Sequence, residues 1–120
     1  MSALPDPADV RALADQIRAE GIRLLAMTMV DNGGITRVKL VPVSRLERVA
    51  RAGVGMSDVW AVSAVDDHFA FAHAPHYDTP SGDMRLVPDL HAVQPLHMAP
   101  GYAWAPVNQH DQEMERLDVC

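Results

Sequence analysis

Apolar residues near the start of the chain recur at helical spacing, with charged residues between them. Asp6-Pro7 supplies a capping side chain and a proline suited to the first helical position, and Gly21 marks an end. The pattern predicts a half-buried helix without catalytic chemistry, whose inward face carries four apolar residues: Val10, Leu13, Ala14 and Ile17.

Two strand-like segments follow this helix. Residues 22–30 are apolar at nearly every position, which is typical of a strand covered on much of both faces. Residues 35–43 form the second segment. Asp31-Asn32-Gly33-Gly34 lies between them and predicts a tight hairpin, because Asn and Gly tolerate the positive φ that such turns require.

The second segment alternates with a period of two. Arg37 and Lys39 fall on one face, and Val38 and Leu40 fall on the other. The basic pair could form a ligand site, but basic side chains are mostly exposed in folded proteins. We therefore interpret Arg37 and Lys39 as a solvent-facing strand surface.

A second, short helix is predicted after the hairpin. Ser44 and Glu47 have the spacing of a capping box, and Gly53 ends the helix. Its inward positions are Leu46, Val49 and Ala50.

A glycine-rich loop is predicted at residues 53–58. It lacks the Gly-Lys-Ser/Thr ending of a phosphate-binding loop and opens no helix. Residues 58–65 predict a third strand, with Trp60 and Val62 on one face.

The clearest strand signal lies at residues 81–89, where turn residues flank a short apolar run and a proline ends it. Residues 91–97 predict an edge strand or a bulge, because Pro95 has no N–H for a sheet ladder. Residues 102–107 predict the last strand, with Tyr102 and Trp104 on one face and packed in the core.

These elements together predict an α+β fold in which two helices pack on a mixed sheet of about five or six strands. The 120 residues suit one domain, and a net charge of −6 argues against nucleic acid or an anionic membrane as a main partner. No window resembles a membrane span or a signal peptide, and Cys120 is the single cysteine. We expect a cytoplasmic, soluble domain.

Residues 66–78 are rich in histidine and aspartate, which raises the question of a metal site. Structural zinc requires a compact set of His or Cys ligands at rigid spacing, and the single cysteine lies far away. We favour a surface segment over a metal site for these side chains: Asp66, Asp67, His68, His73, His76 and Asp78.

Several short stretches, in this order and spacing, resemble the N-terminal β-grasp domain of the glutamine synthetase family, in particular its branch of γ-glutamyl-amine ligases. The similarity runs from about Ile22 to Cys120. The stretches that carry it are Val30 to Gly34, Val41 to Ser44, Gly53 to Ser57, Ser81 to Asp89, and Tyr102 to Trp104.

The resemblance implies an enzyme of nitrogen metabolism, an ATP-dependent ligase that joins the γ-carboxyl of glutamate to ammonia or an amine. It further implies Mg2+ or Mn2+, and homo-oligomeric rings in which this domain contacts its own catalytic domain and a neighbouring subunit. The family's metal and ATP sites belong to the catalytic domain, so no catalytic residue is expected here. The expected division is an N-terminal helix (1–21), a β-grasp domain (22–112) and a tail (113–120) leading to a catalytic domain.

The resemblance also implies a substrate-binding site at Ser57 and Asp58. True glutamine synthetases carry an aspartate followed by Gly-Ser-Ser in this loop, and that aspartate falls on Ser57 here. A neutral hydroxyl holds ammonium less strongly than a carboxylate does. This departure favours larger amines over ammonia. The alternative is a free-standing β-grasp module that binds proteins and has no enzymatic activity, since a fold does not fix a function.

Overall fold

The structure is a computed structural model that describes residues 5–66, 68–69 and 82–117. Within these residues two α-helices accompany a mixed six-stranded sheet, which confirms the predicted α+β architecture. The helices are α1 (Pro7–Ala19) and α2 (Leu46–Ala52). The strands are β1 (Leu24–Val30), β2 (Thr36–Pro42), β3 (Val54–Ser57), β4 (Asp83–Pro88), β5 (Gln94–Pro95) and β6 (Tyr102–His110).

The sheet has the strand order β2-β1-β6-β4-β3, and β5 pairs with β6 off this path. Strands β1 and β6 run parallel, with Leu24 beside Tyr102, and the other pairs are antiparallel. The neighbouring strands β1 and β6 are therefore far apart in the sequence. Strands β2 and β3, which follow each other along the chain, lie at opposite ends of the order.

The hydrophobic core combines the inward faces of both helices with one side of the sheet. Helix α1 contributes Val10, Ala14 and Ile17, and α2 contributes the three apolar residues that the sequence predicted. Burying each large apolar side chain contributes about 1.5–3 kcal/mol. The largest fully buried side chains are Leu25, Met27, Val43, Leu46 and Leu86.

Helix α1 begins as its sequence predicts. The Asp6 side chain accepts a 2.8 Å hydrogen bond from the Ala8 N–H, and Pro7 occupies the first helical position. An ion pair between Arg11 and Glu47, at 3.0 Å, joins α1 to α2. The predicted capping box at α2 is wrong. Ser44 lies inside a 3-10 turn (Val43–Arg45) that precedes the helix, so its hydroxyl does not cap it.

The prediction of a loop at residues 53–58 is also wrong. Gly53 ends α2 with φ 64°, and the chain enters β3 at the next residue. Strand β3 pairs antiparallel with β4, with Ser57 opposite Asp83. A Cβ on Gly55 would lie 2.5 Å from Asp83 Oδ2, so the Asp83 side chain occupies the space that Gly55 leaves open.

The predicted strand at residues 58–65 is a 3-10 helix instead, over Asp58–Val62. The Ser57 side chain caps this helix, and all five of its residues are half-buried. The predicted strand at 91–97 shortens to β5, because Leu90–Ala92 forms another 3-10 turn ahead of it. A short polar cap redirected the backbone in both places: Ser57 in the first and Asp89 in the second.

The hairpin of β1 and β2 forms as predicted, but the exposure of its faces is reversed. Arg37 and Lys39 are half-buried, whereas Val38 and Leu40 are about half exposed, at 54% and 53%. The basic pair is therefore not a solvent-facing surface. Tyr102 and Trp104 share one face of β6, but both are half-buried rather than packed in the core.

Most of the histidine-rich segment lies outside the described residues, including Asp67, His73, His76 and Asp78, as does Cys120. Of this segment the structure describes an exposed pair, in which Asp66 Oδ2 lies 3.0 Å from His68 Nδ1. Among the helices that the structure describes, none has the length and apolar character required to cross a membrane.

Candidate functional site at the β3 terminus

Ser57 and Asp58 lie at the junction between β3 and the 3-10 helix that follows it. Ser57 is exposed at the end of the strand, and its Oγ accepts a 3.3 Å hydrogen bond from the Val59 N–H. Asp58 is half-buried and is the first residue of the helix. The cap orients the Ser57 hydroxyl, so the two predicted site residues share one short, ordered corner.

A further carboxylate lies beside this corner. Asp83 is exposed and stands directly opposite Ser57 in the antiparallel pairing of β3 and β4. Residues opposite each other on antiparallel strands have side chains on the same face, with Cβ atoms about 5 Å apart. The sequence prediction missed Asp83, because its proximity depends on the β3–β4 register. The corner therefore brings the Ser57 hydroxyl and the Asp83 carboxylate to one face of the β3–β4 pair, with Asp58 next along the chain.

The turn between β1 and β2 contains a buried ion pair. Asp31 is 5% exposed, and its Oδ1 accepts a 2.9 Å hydrogen bond from the Ile35 N–H. Both Nε and Nη2 of Arg37 lie 2.8 Å from Asp31 Oδ2. Burial of the carboxylate favours its neutral form, but the bonds from Ile35 and Arg37 outweigh burial and place the pKa of Asp31 below its usual value.

The Arg37 guanidinium also covers an aromatic ring of the 3-10 helix. Its carbon lies 3.8 Å from the centroid of Trp60, within the range of a cation–π contact. Trp60 in turn meets Phe69 edge-on, with ring centroids 6.0 Å apart. Sequence reasoning assigned Arg37 to solvent, so it missed this link. The available signal was the spacing of Asp31 and Arg37 across a tight turn.

Two more residues of the β1–β2 turn approach residues 61–64, which comprise the end of the 3-10 helix and the two residues after it. The Asn32 side-chain amide donates a hydrogen bond to the Ala61 carbonyl. A Cβ on Gly33 would lie 3.0 Å from the Ala64 carbonyl oxygen, so the turn and the segment are in close approach. The β1–β2 turn therefore holds the segment that continues from Ser57 and Asp58.

Two features associated with metal and phosphate binding can be checked in the described residues. Across residues 5–66, 68–69 and 82–117, no three His, Cys, Asp or Glu side chains come together as metal ligands. The glycine-rich stretch at Gly53 to Ser57 is a paired strand rather than a loop that could cradle phosphate.

The order of elements and the sheet define a small α+β domain of the kind that glutamine synthetases carry at their N-terminus. The family model described as "Glutamine synthetase N-terminal domain" matches residues 4–118. The chain belongs to this family. The resemblance inferred from its short motifs is confirmed.

A relative of known name shares much of the sequence. The chain is 39% identical over 109 residues to a γ-glutamylpolyamine synthetase from Streptomyces coelicolor, a match covering 91% of this chain and 23% of the relative. The chain thus spans about a quarter of that protein's length.

Solved structures share the fold. The ADP complex of GmaS is similar with a TM-score of 0.62 at 24% identity, covering 83% of this chain and 20% of that one. A structure described as a novel glutamine synthase homolog is similar with a TM-score of 0.62, also at 24% identity, covering 82% of this chain and 24% of that one. At this level of identity the similarity shows the fold alone.

Proposed function

We propose that this chain is the N-terminal domain of a larger glutamine synthetase-like ligase, which joins the γ-carboxyl of glutamate to an amine. The observation that carries the proposal is the 39% identity to a γ-glutamylpolyamine synthetase, together with the family match over residues 4–118. The share of that relative which the chain spans, 23%, leaves room for a catalytic domain.

ATP and Mg2+ or Mn2+ are assigned in this proposal to the remainder of the protein. The described residues of this domain form neither a metal cluster nor a phosphate-binding loop. The domain itself supplies polar groups at the end of β3. In a ring of subunits it contacts its own catalytic domain and forms one wall of the active site of a neighbouring subunit.

Ser57 and Asp58 form the amine-facing part of that wall. Ser57 offers a hydroxyl where ammonia-using enzymes of the family keep a carboxylate, which weakens the binding of a small, fully hydrated ammonium ion. Asp58 and Asp83 lie next to it, and their carboxylates are suited to separate ammonium groups of a longer amine. The site is therefore better matched to a larger amine than to ammonia.

The test uses the full-length protein that carries this domain, assayed with ammonia and with a series of amines up to polyamines. We expect Ser57→Asp to improve the use of ammonia relative to large amines by on the order of 1–3 kcal/mol, the contribution of one charge-assisted hydrogen bond. Asp58→Asn tests the alternative alignment, shifted by one residue, in which the aspartate of true glutamine synthetases corresponds to Asp58 and not to Ser57. If Asp58 is the main amine-binding carboxylate, Asp58→Asn reduces turnover strongly and Ser57→Asp has little effect.

Ser44→Asp is the matched control, because it adds the same charge at another exposed serine in a short 3-10 turn. It should leave amine preference unchanged. If Ser57→Asp and Asp58→Asn also retain the parent's activity and preference, the corner is only a connector. A full-length protein without ligase activity on any amine would overturn the whole proposal and favour a protein-binding module.

A further inference from the structure

The segment that continues from the candidate amine site contacts both the hydrophobic core and the β1–β2 turn. Asp58–Val62 is a 3-10 helix, an element with poorer hydrogen-bond geometry than an α-helix, and every residue in it is half-buried. Trp60 packs against the hydrophobic core as a partly buried neighbour. The contacts of Trp60 therefore contribute to the position of the segment, which begins with Asp58 and whose Val59 N–H donates to the Ser57 hydroxyl.

Arg37 contacts the Trp60 ring while its guanidinium is held by Asp31. Its guanidinium is fixed by two nitrogens at 2.8 Å from Asp31 Oδ2, and the Asp31 side chain is fully buried. The planar group then lies against the Trp60 ring at 3.8 Å. A guanidinium can form the ion pair and the ring contact at once, because its edge donates hydrogen bonds while its face stacks.

The contact links parts of the fold that strand pairing does not join. Strand β2, which carries Arg37, is at one end of the sheet order, and β3, which leads into the segment, is at the other end. Asn32 adds a second link from the same turn through its hydrogen bond to the Ala61 carbonyl. Displacement of the β1–β2 turn would therefore be transmitted to the corner of Ser57 and Asp58.

We propose that Arg37, held by Asp31, is a positioning residue for the amine site: it presses on Trp60 and thereby sets where Ser57 and Asp58 stand relative to the substrate amine. The inference rests on the proposed function for the chemistry of the site. The mechanical link from the turn to the segment stands on the contacts themselves.

The first experiment measures steady-state kinetics of Arg37→Gln and Arg37→Lys in the full-length protein. For Arg37→Gln we expect KM for the amine to rise roughly 3- to 30-fold, the range that corresponds to loss of a cation–π contact. The KM values for glutamate and ATP should stay within about twofold, since neither binds the corner. Arg37→Lys retains the charge without the planar face, and should recover only part of the amine KM.

Lys39→Gln is the matched control. Lys39 lies two residues along β2, on the same face as Arg37, and is half-buried like it. This variant should leave the amine KM unchanged. An Arg37→Gln protein with unchanged amine KM would overturn the inference. So would one in which the KM values for amine, glutamate and ATP all rise together while kcat falls, because that pattern indicates general loss of structure.

The second experiment tests the link without any activity. The 120-residue chain has two tryptophans, so in this chain Trp104→Phe leaves Trp60 as the single fluorescent indole. In this background we expect Arg37→Gln to increase acrylamide quenching of Trp60 and Lys39→Gln to leave it unchanged. Quenching that does not respond to Arg37→Gln would refute the link, even if the protein proves to be a ligase.

If Arg37→Gln does not fold, Asn32→Ala provides a second test of the same link. It removes the hydrogen bond to Ala61 from an exposed position in the turn, and it leaves the buried ion pair in place. We expect a smaller rise in the amine KM in the same direction. The two proposals can fail separately. If variants of Ser57 and Asp58 alter amine preference but variants of Asn32 and Arg37 do not, the proposed function stands and the positioning role of Arg37 is contradicted.

Discussion

The indole Nε1 of Trp104 donates a 2.8 Å hydrogen bond to Oγ1 of Thr28, across the parallel pairing of β1 and β6. Both side chains are half-buried on the sheet face opposite Leu25 and Met27. The bond ties β1 to β6, the strand in the middle of the sheet order, on the face away from the helices.

Removing this hydrogen bond should destabilise the domain measurably. We expect Trp104→Phe to lower the free energy of unfolding by about 0.5–1.5 kcal/mol, with an added loss from the smaller ring. Thr28→Val removes the acceptor with little change of shape. The urea-induced unfolding of both single variants and the double variant measures the coupling. Fully additive losses would mean that the bond does not contribute to stability.

A second prediction concerns the acid stability that Asp31 provides. Because the folded pKa of Asp31 is lowered, its contribution is fully present above the unfolded pKa of about 3.9 and is lost as the pH falls through the folded pKa. Asp31→Asn should therefore destabilise the domain at neutral pH, and its melting temperature should approach that of the parent below about pH 4.

Asp15→Asn is the control for this experiment. Asp15 pairs with Arg18 at 3.0 Å on the exposed face of α1, where an ion pair contributes little. Its melting temperature should follow the parent's at every pH. An Asp31→Asn protein that differs from the parent by a constant amount from pH 3 to pH 7 would contradict the role of the carboxylate charge.

Comparing Gly53 with Gly21 separates two costs of adding a side chain: the cost of a positive φ and the cost of a steric clash. Both have positive φ, at 64° and 83°. A Cβ on Gly53 would lie 2.9 Å from Arg85 Cβ and 3.1 Å from the Leu86 carbonyl, whereas a Cβ on Gly21 meets nothing within 4 Å. Gly53 also has ψ −177°, a region that side-chain-bearing residues avoid at a cost of about 1–3 kcal/mol.

We therefore expect Gly53→Ala to destabilise the domain more than Gly21→Ala, for which about 1–2 kcal/mol is typical. Denaturant unfolding of the two variants provides the comparison. Equal losses would show that strand β4 moves away from the new methyl group at no cost.

The last prediction is that the 120-residue chain alone has no ligase activity. Its described residues form no metal cluster, and the proposed ATP site lies in the remainder of the protein. Phosphate release with glutamate, ATP, magnesium and a panel of amines should stay at background. Turnover by this chain that a point change such as Asp58→Asn abolishes would contradict this prediction.

Local chemistry predicted much of the fold. The apolar run of β1, the Asp31 to Gly34 turn and the strand that Pro88 ends are each specified by neighbouring residues, and all three form. The 3-10 helix after β3 was missed, because Val59, Trp60 and Val62 mimic a strand pattern. There the Ser57 side chain caps a 3-10 helix, and Trp60 packs against the core and beneath Arg37 instead of forming a strand.

The candidate site was less predictable, because it depends on register and on contacts distant in sequence. Asp83 comes opposite Ser57 only once β3 pairs with β4. The sequence pattern placed Arg37 on a solvent-facing surface, whereas its contacts with the buried Asp31 carboxylate and the Trp60 ring depend on how the chain folds. Period-two alternation predicted that Arg37 and Val38 face opposite ways, but it gave no information about which side is covered.

The parallel pairing of β1 and β6 also has a consequence for how the domain folds. The hairpin of β1 and β2 joins neighbouring residues and can form early, whereas the bond from Trp104 to Thr28 spans 76 residues. Contacts of such long separation slow folding, since the chain entropy of loop closure must be overcome first. During synthesis the inner edge of β1 therefore stays unpaired until β6 emerges, and in that interval the nascent hairpin is exposed to pairing with other chains.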